Sequence, residues 1–147
     1  MILPAGFYYP GIGFPLSITG CTILAPFTLM TVSSCPFCRI ISGDISADIL
    51  HRDQSLVCFK DSRPVTPVHI LIVPQEHIVS MNETEPAHCE LLGHMLLTAR
   101  RLAAEAGLDH TGYRLVINTG PDAGQSVFHL HLHLIGGRRM PFHFQEL

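Results

Sequence analysis

The sequence has few charged side chains and no cluster of basic ones, which limits what the protein can bind. Charged residues make up 14% of the 147 residues, and the formal net charge is −3 at pH 7 with histidine neutral. A surface that binds nucleic acid needs Lys and Arg concentrated in a run or on one face. No such run occurs, so we expect no nucleic-acid partner and predict that any bound nucleotide is a small molecule held in a pocket.

The first 34 residues carry no charged side chain, yet they also lack an unbroken apolar run. Proline and glycine interrupt them at positions 4, 6, 10, 11, 13, 15, 20 and 26. A secretory signal needs a positive amino-terminal region and a continuous apolar core, and a membrane helix needs about 20 mainly apolar residues. We therefore expect no membrane association. Residues 1–32 are interpreted as a hydrophobic extension, with Met30 as an alternative start, and residues 33–147 as the single domain.

The cysteine content is odd in number, and only one pair is closely spaced. Five cysteines make a poor disulfide framework. Cys35 and Cys38 form a C-x-x-C pair that is typical of half a metal site or of a redox pair. This usage favours a reducing, cytoplasmic compartment.

The hydrophobic pattern predicts an α+β fold, an antiparallel sheet of about five strands covered by one long helix, with a short helix at its amino-terminal end. The short helix is expected over Cys35–Ser42, ending at Gly43. The long helix is expected to begin after an N-cap at Thr84, with Pro86 in its first turn, and to end at Gly107. Its predicted apolar stripe consists of Leu91, Leu92, Met95, Leu96, Ala99, Leu102, Ala103 and Ala106. Strands are predicted at 49–52, 56–60, 69–73, 113–118 and 128–135, with a loop at 119–126 before the last one.

Three histidines alternate with leucines in the last predicted strand. His129, His131 and His133 should share one face, about 6.5–7 Å apart, while the leucines between them pack into the core. Three interpretations are open: an exposed polar face, a metal site built from two of the histidines, or nucleophilic attack by a neutral imidazole on phosphorus. The preceding Gly124-Gln125-Ser126 loop favours phosphoryl chemistry, because its N–H groups and side chains suit an anion.

The segment 124–135 resembles the signature of the histidine-triad (HIT) superfamily, in which histidine alternates with hydrophobic residues. The continuation Gly136-Gly137-Arg138 is similar to its Hint branch, the purine nucleoside phosphoramidases. The resemblance extends over nearly all of residues 35–142 and includes His69 with the strand that follows it, His77, Asp61 and Asn118.

The resemblance implies a role for each matching residue. His131 would be the nucleophile, while His133, His69 and Ser126 would assist it. Asp61 would bind the ribose hydroxyls. The remaining expected nucleotide contacts are Phe37, Ile40 and Phe59 at the base, and Asn118, Gly124, Gln125, Ser126 and His133 near the phosphate.

The resemblance also implies a structural zinc ion held by Cys35, Cys38, His77 and His129. A Cys₂His₂ set leaves no open position on the metal, and the implied chemistry needs no catalytic metal. The expected function is hydrolysis of purine nucleoside 5′-phosphoramidates through a nucleotidyl–His131 intermediate, by a homodimer. Hydrolysis of dinucleoside polyphosphates and a non-catalytic nucleotide-binding module are the alternatives.

Overall fold

The computed structural model describes residues 34–140. The interpretation of residues 1–32 and of Met30 therefore lies outside the described residues. Two α-helices and five strands make up this part of the chain. They are α1 (Pro36–Ser42), β1 (Ile49–Arg52), β2 (Leu56–Lys60), β3 (Val68–Pro74), α2 (Cys89–Glu105), β4 (Tyr113–Val116) and β5 (Leu132–Gly136).

The five strands form one antiparallel sheet in the order β1-β2-β3-β5-β4. Alternation along the strands gives the sheet two buried faces. On one face Leu56, Ile72 and Leu132 pack against Met95 and Leu102 of α2. On the other face Val57, Phe59 and Leu71 pack with Phe37 of α1. The predicted α+β architecture is confirmed. Neither helix within residues 34–140 is long and apolar enough to cross a membrane.

The local signals for α1 and for the first hairpin predicted the structure well. Gly43 ends α1 with φ +90°, a left-handed conformation that glycine adopts without steric cost. The strands β1 and β2 have the predicted bounds, and Asp53 lies in the turn between them. Its carboxylate accepts hydrogen bonds from the Ser55 and Leu56 N–H groups, both at 2.8 Å. These two bonds explain why Asp53 suits the turn.

The predicted start of the long helix is wrong. Thr84 caps no α-helix, because its hydroxyl donates to the Met81 carbonyl at 2.8 Å and ends a 3₁₀ turn. The following Glu85 is extended, as a residue before proline tends to be. Pro86 then opens a second 3₁₀ turn, so α2 begins only at Cys89.

The predicted apolar stripe of α2 is correct at its centre and wrong at its margins. Met95, Ala99, Leu102 and Ala103 are buried, but Leu96 is 49% exposed and Ala106 is also exposed. Thr98 is buried although the stripe omitted it. The sheet covers a narrower part of the helix surface than the sequence predicted.

The histidine segment, residues 129–135, joins the sheet later than predicted. Only residues 132–136 form β5, so His129 and His131 precede the strand. The antiparallel register would place Leu130 opposite Pro74, which has no N–H to donate, and the Leu130 N–H donates instead to the Ile78 carbonyl at 2.6 Å. The alternation survives beyond the ladder, because Leu130, Leu132 and Leu134 all lie in the core beneath α2. The strand β4 is also shorter than predicted and ends at Val116, which pairs with His133.

Candidate functional site

A cavity of about 740 Å³ opens on the α1 face of the sheet. This volume is within the range of small-molecule sites. Seven of the predicted site residues line it: Phe37, Ile40, Phe59, Asp61, Ser126, His131 and His133. Apolar side chains of α1, together with Phe59 of β2, cover one end, and polar side chains such as Asp61, Ser126 and His133 line the rest. The cavity therefore offers an apolar region beside a polar one.

His131 presents a defined nitrogen to this cavity. Its Nδ1–H donates to the His129 carbonyl at 2.7 Å, which leaves Nε2 with the lone pair. Burial lowers the pKa of His131, although the bond to the His129 carbonyl and the nearby Asp61 charge oppose the shift. The imidazole is therefore neutral at neutral pH, with an unprotonated Nε2. This is the state that a nitrogen nucleophile needs.

His69 and His133 share a hydrogen bond beside His131. The Val65 N–H donates to His69 Nδ1 at 3.3 Å, which places the His69 proton on Nε2. That Nε2–H donates to His133 Nδ1 at 2.9 Å, so the proton of His133 lies on its own Nε2. His133 Nε2 is the one buried side-chain polar atom in residues 34–140 without a hydrogen-bond partner. An acceptor entering the cavity would satisfy this donor.

Asp61 lies within reach of the same histidines. Its Oδ1 accepts from the Arg63 N–H at 2.8 Å, and its Oδ2 lies 3.4 Å from His69 Nε2. Asp61, His69 and His133 are close enough to hold a metal ion. However, the two imidazole nitrogens point at each other, with ring centroids 5.2 Å apart for a nitrogen separation of 2.9 Å. Two ring nitrogens aligned in this way suit one shared proton better than a common metal ion.

Four other side chains do converge on one point. His77 Nδ1 lies 3.2 Å from His129 Nδ1 and 3.2 Å from Cys38 Sγ. His129 Nδ1 lies 3.5 Å from both Cys35 Sγ and Cys38 Sγ. Tetrahedral zinc, with bonds of about 2.3 Å to sulfur and 2.0 Å to nitrogen, places its ligands about 3.3–3.8 Å apart. The predicted Cys₂His₂ site is thus present with the spacing of a structural zinc site.

The surroundings of His129 support metal binding. Its Nε2–H donates to the Pro74 carbonyl at 2.8 Å, which leaves Nδ1 unprotonated and directed at the cysteines. In metal-binding histidines, the ring nitrogen that does not bind the metal usually donates a hydrogen bond of this kind. His129 is fully buried and Cys35 is 2% exposed. A bound zinc ion would link α1, the β3–α2 connection and the histidine segment.

Comparison with known proteins identifies the family. A family model described as "Scavenger mRNA decapping enzyme C-term binding" matches residues 34–146. An uncharacterised HIT-like protein of Synechococcus elongatus is 49% identical over 104 residues, which cover 71% of this chain and 90% of that protein. The chain belongs to the histidine-triad (HIT) family.

Two solved HIT structures resemble this one closely. A HIT family hydrolase from Legionella pneumophila has a TM-score of 0.72 and 44% identity, covering 74% of this chain and 96% of its own. A Zn-bound HIT protein from Mycobacterium smegmatis has a TM-score of 0.65 and 37% identity, covering 74% of this chain and 78% of its own. The family resemblance drawn from the histidine segment is therefore confirmed.

Three of the expected HIT contacts do not line the cavity: Asn118, Gly124 and Gln125. The Gln125 side chain makes hydrogen bonds within the protein, and its expected role at the phosphate stays a prediction. Its Nε2 donates to the Val79 and Val127 carbonyls at 2.7 and 3.2 Å, and its Oε1 accepts from the Gly120 N–H at 2.9 Å. Gln125 braces the loop, and Ser126 next to it faces the cavity.

Sequence reasoning missed several residues in the wall of this HIT site. Leu71 could have been found, since it lies two residues after His69 in β3 and therefore on the same face. Asp48, Lys60 and Arg63 also line the cavity. No motif marks these three, because the fold brings them together from the edge of the sheet and from the loop after β2.

Proposed function

We propose that this protein is a hydrolase of purine nucleoside 5′-phosphoramidates and acts through a nucleotidyl–His131 intermediate. The observation that carries the proposal is the pairing of a neutral His131, which lines the cavity and has a free lone pair on Nε2, with an unpartnered His133 Nε2–H beside it. The two rings lie 4.8 Å apart between centroids. One group attacks phosphorus while the other donates to a phosphoryl oxygen.

The cavity accommodates the rest of such a substrate. The base lies among Phe37, Ile40 and Phe59, which form the apolar end. The ribose hydroxyls donate to the Asp61 carboxylate, which retains an oxygen for them after binding the Arg63 N–H. Ser126 donates to the phosphate or to the leaving group.

The reaction has two steps. His131 Nε2 bonds to phosphorus as the phosphorus–nitrogen bond of the substrate breaks, and the amine leaves after protonation. Water then attacks phosphorus, breaks the bond to Nε2 and releases the nucleoside 5′-monophosphate. Two displacements at one imidazole replace a single harder one. Neither step requires a catalytic metal, and zinc at the Cys₂His₂ site serves the fold.

Rapid mixing with adenosine phosphoramidate followed by mass spectrometry tests the mechanism. We expect an acid-labile AMP adduct on the peptide that contains His131. The His131→Ala variant should form no adduct and lose nearly all turnover, while His110→Ala, a change at a histidine whose side chain is 92% exposed, should behave as the wild type. Wild-type-like turnover in His131→Ala with binding intact would exclude this mechanism.

One observation favours hydrolysis of dinucleoside polyphosphates as a second candidate. Arg63 lines the cavity, as does Lys60, which pairs with Asp48 at 2.7 Å. The Arg63 cation, and Lys60 if it exchanges Asp48 for the ligand, would suit phosphates beyond the one attacked. Comparing kcat/KM for adenosine phosphoramidate and diadenosine polyphosphates decides between the two substrates. Nucleotide binding without turnover of either would instead identify a binding module.

A further inference from the structure

Phe37 lies between Cys35 and Cys38 in the sequence, and its ring also contacts His131, the candidate nucleophile. Its ring centroid is 5.2 Å from that of His131, with the planes at 82°, and 6.0 Å from that of His129. Phe37 is 8% exposed. The Phe37 ring thus contacts His129 of the metal site and His131, the proposed nucleophile.

The hydrogen bond at Nδ1 does not by itself fix the His131 ring. It holds one nitrogen on the His129 carbonyl, while the ring contacts Phe37, with centroids 5.2 Å apart, and His133, with centroids 4.8 Å apart. Edge-to-face contact at these distances is the preferred geometry of aromatic pairs. Removing the Phe37 ring would leave space for His131 to rotate and redirect Nε2.

The position of Phe37 depends in turn on the metal site. Its helix has only seven residues, which is too short to be stable without tertiary contacts. Cys35 and Cys38 flank Phe37 and approach His129 and His77 closely. Metal ligands on both sides of the ring would hold it at a fixed distance from His131.

We propose that Phe37 is a positioning residue for His131, and that the Cys₂His₂ site holds it in place. This inference rests on the proposed function, in which His131 Nε2 must point at phosphorus. A small error in the aim of a nucleophile is costly for rate. Phe37 therefore contributes to turnover, in addition to any contact with the base.

Phe59 provides a matched control. It packs edge-to-face on Phe37, with centroids 5.6 Å apart, and lines the same apolar end of the cavity. Among the ring contacts of residues 34–140, Phe59 has none with His131. Phe37→Leu and Phe59→Leu should both raise KM, but only Phe37→Leu should lower kcat, by about two- to tenfold for an aromatic contact of this kind.

Nitrogen NMR of the histidine rings in the protein without substrate gives a readout independent of activity. In Phe37→Leu the His131 signals should move away from those of a pure Nδ1–H tautomer, and Phe37→Tyr, which keeps the ring, should retain them. Removing zinc with a chelator should reproduce the change. Unaltered His131 signals in Phe37→Leu, or a loss confined to KM as in Phe59→Leu, would overturn the positioning role.

The metal link is tested separately within the same experiment. If zinc-free protein keeps the wild-type His131 signals, the Cys₂His₂ site does not hold Phe37. The proposed function fails by a different result, namely no nucleotidyl adduct and no turnover in the wild type. The NMR comparison distinguishes the two failures because it needs no substrate.

Discussion

At His131 and His129, one backbone carbonyl each determines which ring nitrogen is available. His131 uses Nδ1 for the His129 carbonyl and leaves Nε2 for the cavity, whereas His129 uses Nε2 for the Pro74 carbonyl and leaves Nδ1 for metal. The same residue type, two positions apart, therefore leaves a different ring nitrogen free, Nε2 in His131 and Nδ1 in His129. The difference arises from hydrogen-bond partners that the spacing of the histidines does not specify.

His133 should make stability depend on pH. Burial, followed by the charges of His131 and His69, lowers its pKa to about 4, while the Asp61 carboxylate opposes the shift. An unfolded histidine has a pKa of about 6.5. Between these values the unfolded chain binds a proton that the folded protein excludes, so the free energy of unfolding falls as pH decreases from about 6.5 to about 4.

Urea unfolding of the wild type and of His133→Asn over this pH range measures the effect. Between pH 7 and 4 the free energy of unfolding should fall by roughly 1–3 kcal/mol less in the variant than in the wild type. Above about pH 7 His133 is neutral in both states, so it should not contribute to the pH dependence of the free energy of unfolding. Equal losses in the two proteins would assign the pH dependence to other groups.

The loop before β5 is held by a side chain that had been assigned to the ligand. Gln125 is 4% exposed, and its amide N–H groups donate to two carbonyls. Gln125→Glu would place a carboxylate against those carbonyls and should destabilise the fold by about 1–3 kcal/mol. Asp122→Asn, an amide–carboxylate exchange at an exposed position of the same loop, should be nearly neutral.

Thermal unfolding together with nucleotide titration checks this prediction. The expected result for Gln125→Glu is a lower Tm, with a loss of nucleotide affinity no greater than the loosened loop explains. An unchanged Tm with abolished affinity would support the assignment of Gln125 to the phosphate.

Zinc should stabilise the connection between α1 and the histidine segment. Its ligands come from three separate parts of the chain, at residues 35–38, 77 and 129. Binding energy at such a site adds to folding energy, because the unfolded chain does not form the site. Chelation should lower the Tm, and added zinc should restore it, with one zinc per chain by elemental analysis. Equal Tm values for the zinc-loaded and the metal-free protein would contradict this role.

Elements with strong local signals were predictable from the sequence, and those set by partners were not. The bounds of β1 and β2 and the end of α1 follow from turn residues in the sequence itself. The start of β5 depends on which residue lies opposite Pro74, and the start of α2 depends on two 3₁₀ turns around Glu85. Of the residues in the 124–135 motif, Ser126, His131 and His133 line the cavity whereas Gly124 and Gln125 do not, and Asp48 and Arg63 required the tertiary fold.

At the scale of the whole molecule, the described part of the chain has exposed leucines on α2 next to the last strand of the sheet. Leu96 and Leu97 of α2 are 49% and 65% exposed. The strand β4 is the last of the described sheet, and a groove joins it to α2. Leu97, Ala104 and Tyr113 line this groove together with charged side chains such as Arg101 and Glu105. An exposed apolar patch is a feature that proteins tend to cover.

We propose that a second copy of the chain covers this surface, as the resemblance to Hint proteins implied. A two-fold axis would bring each α2 and each β4 against its own copy. Sedimentation should then give a species of two chains, and Leu97→Glu should shift it to one chain by placing a charge in the interface. Val65→Glu, at a loop position with a similar exposure of 61%, should leave the dimer intact. A monomeric wild type, or dimers that persist in Leu97→Glu, would show that this helix surface is not the interface, since a buried unpaired carboxylate there would be strongly unfavourable.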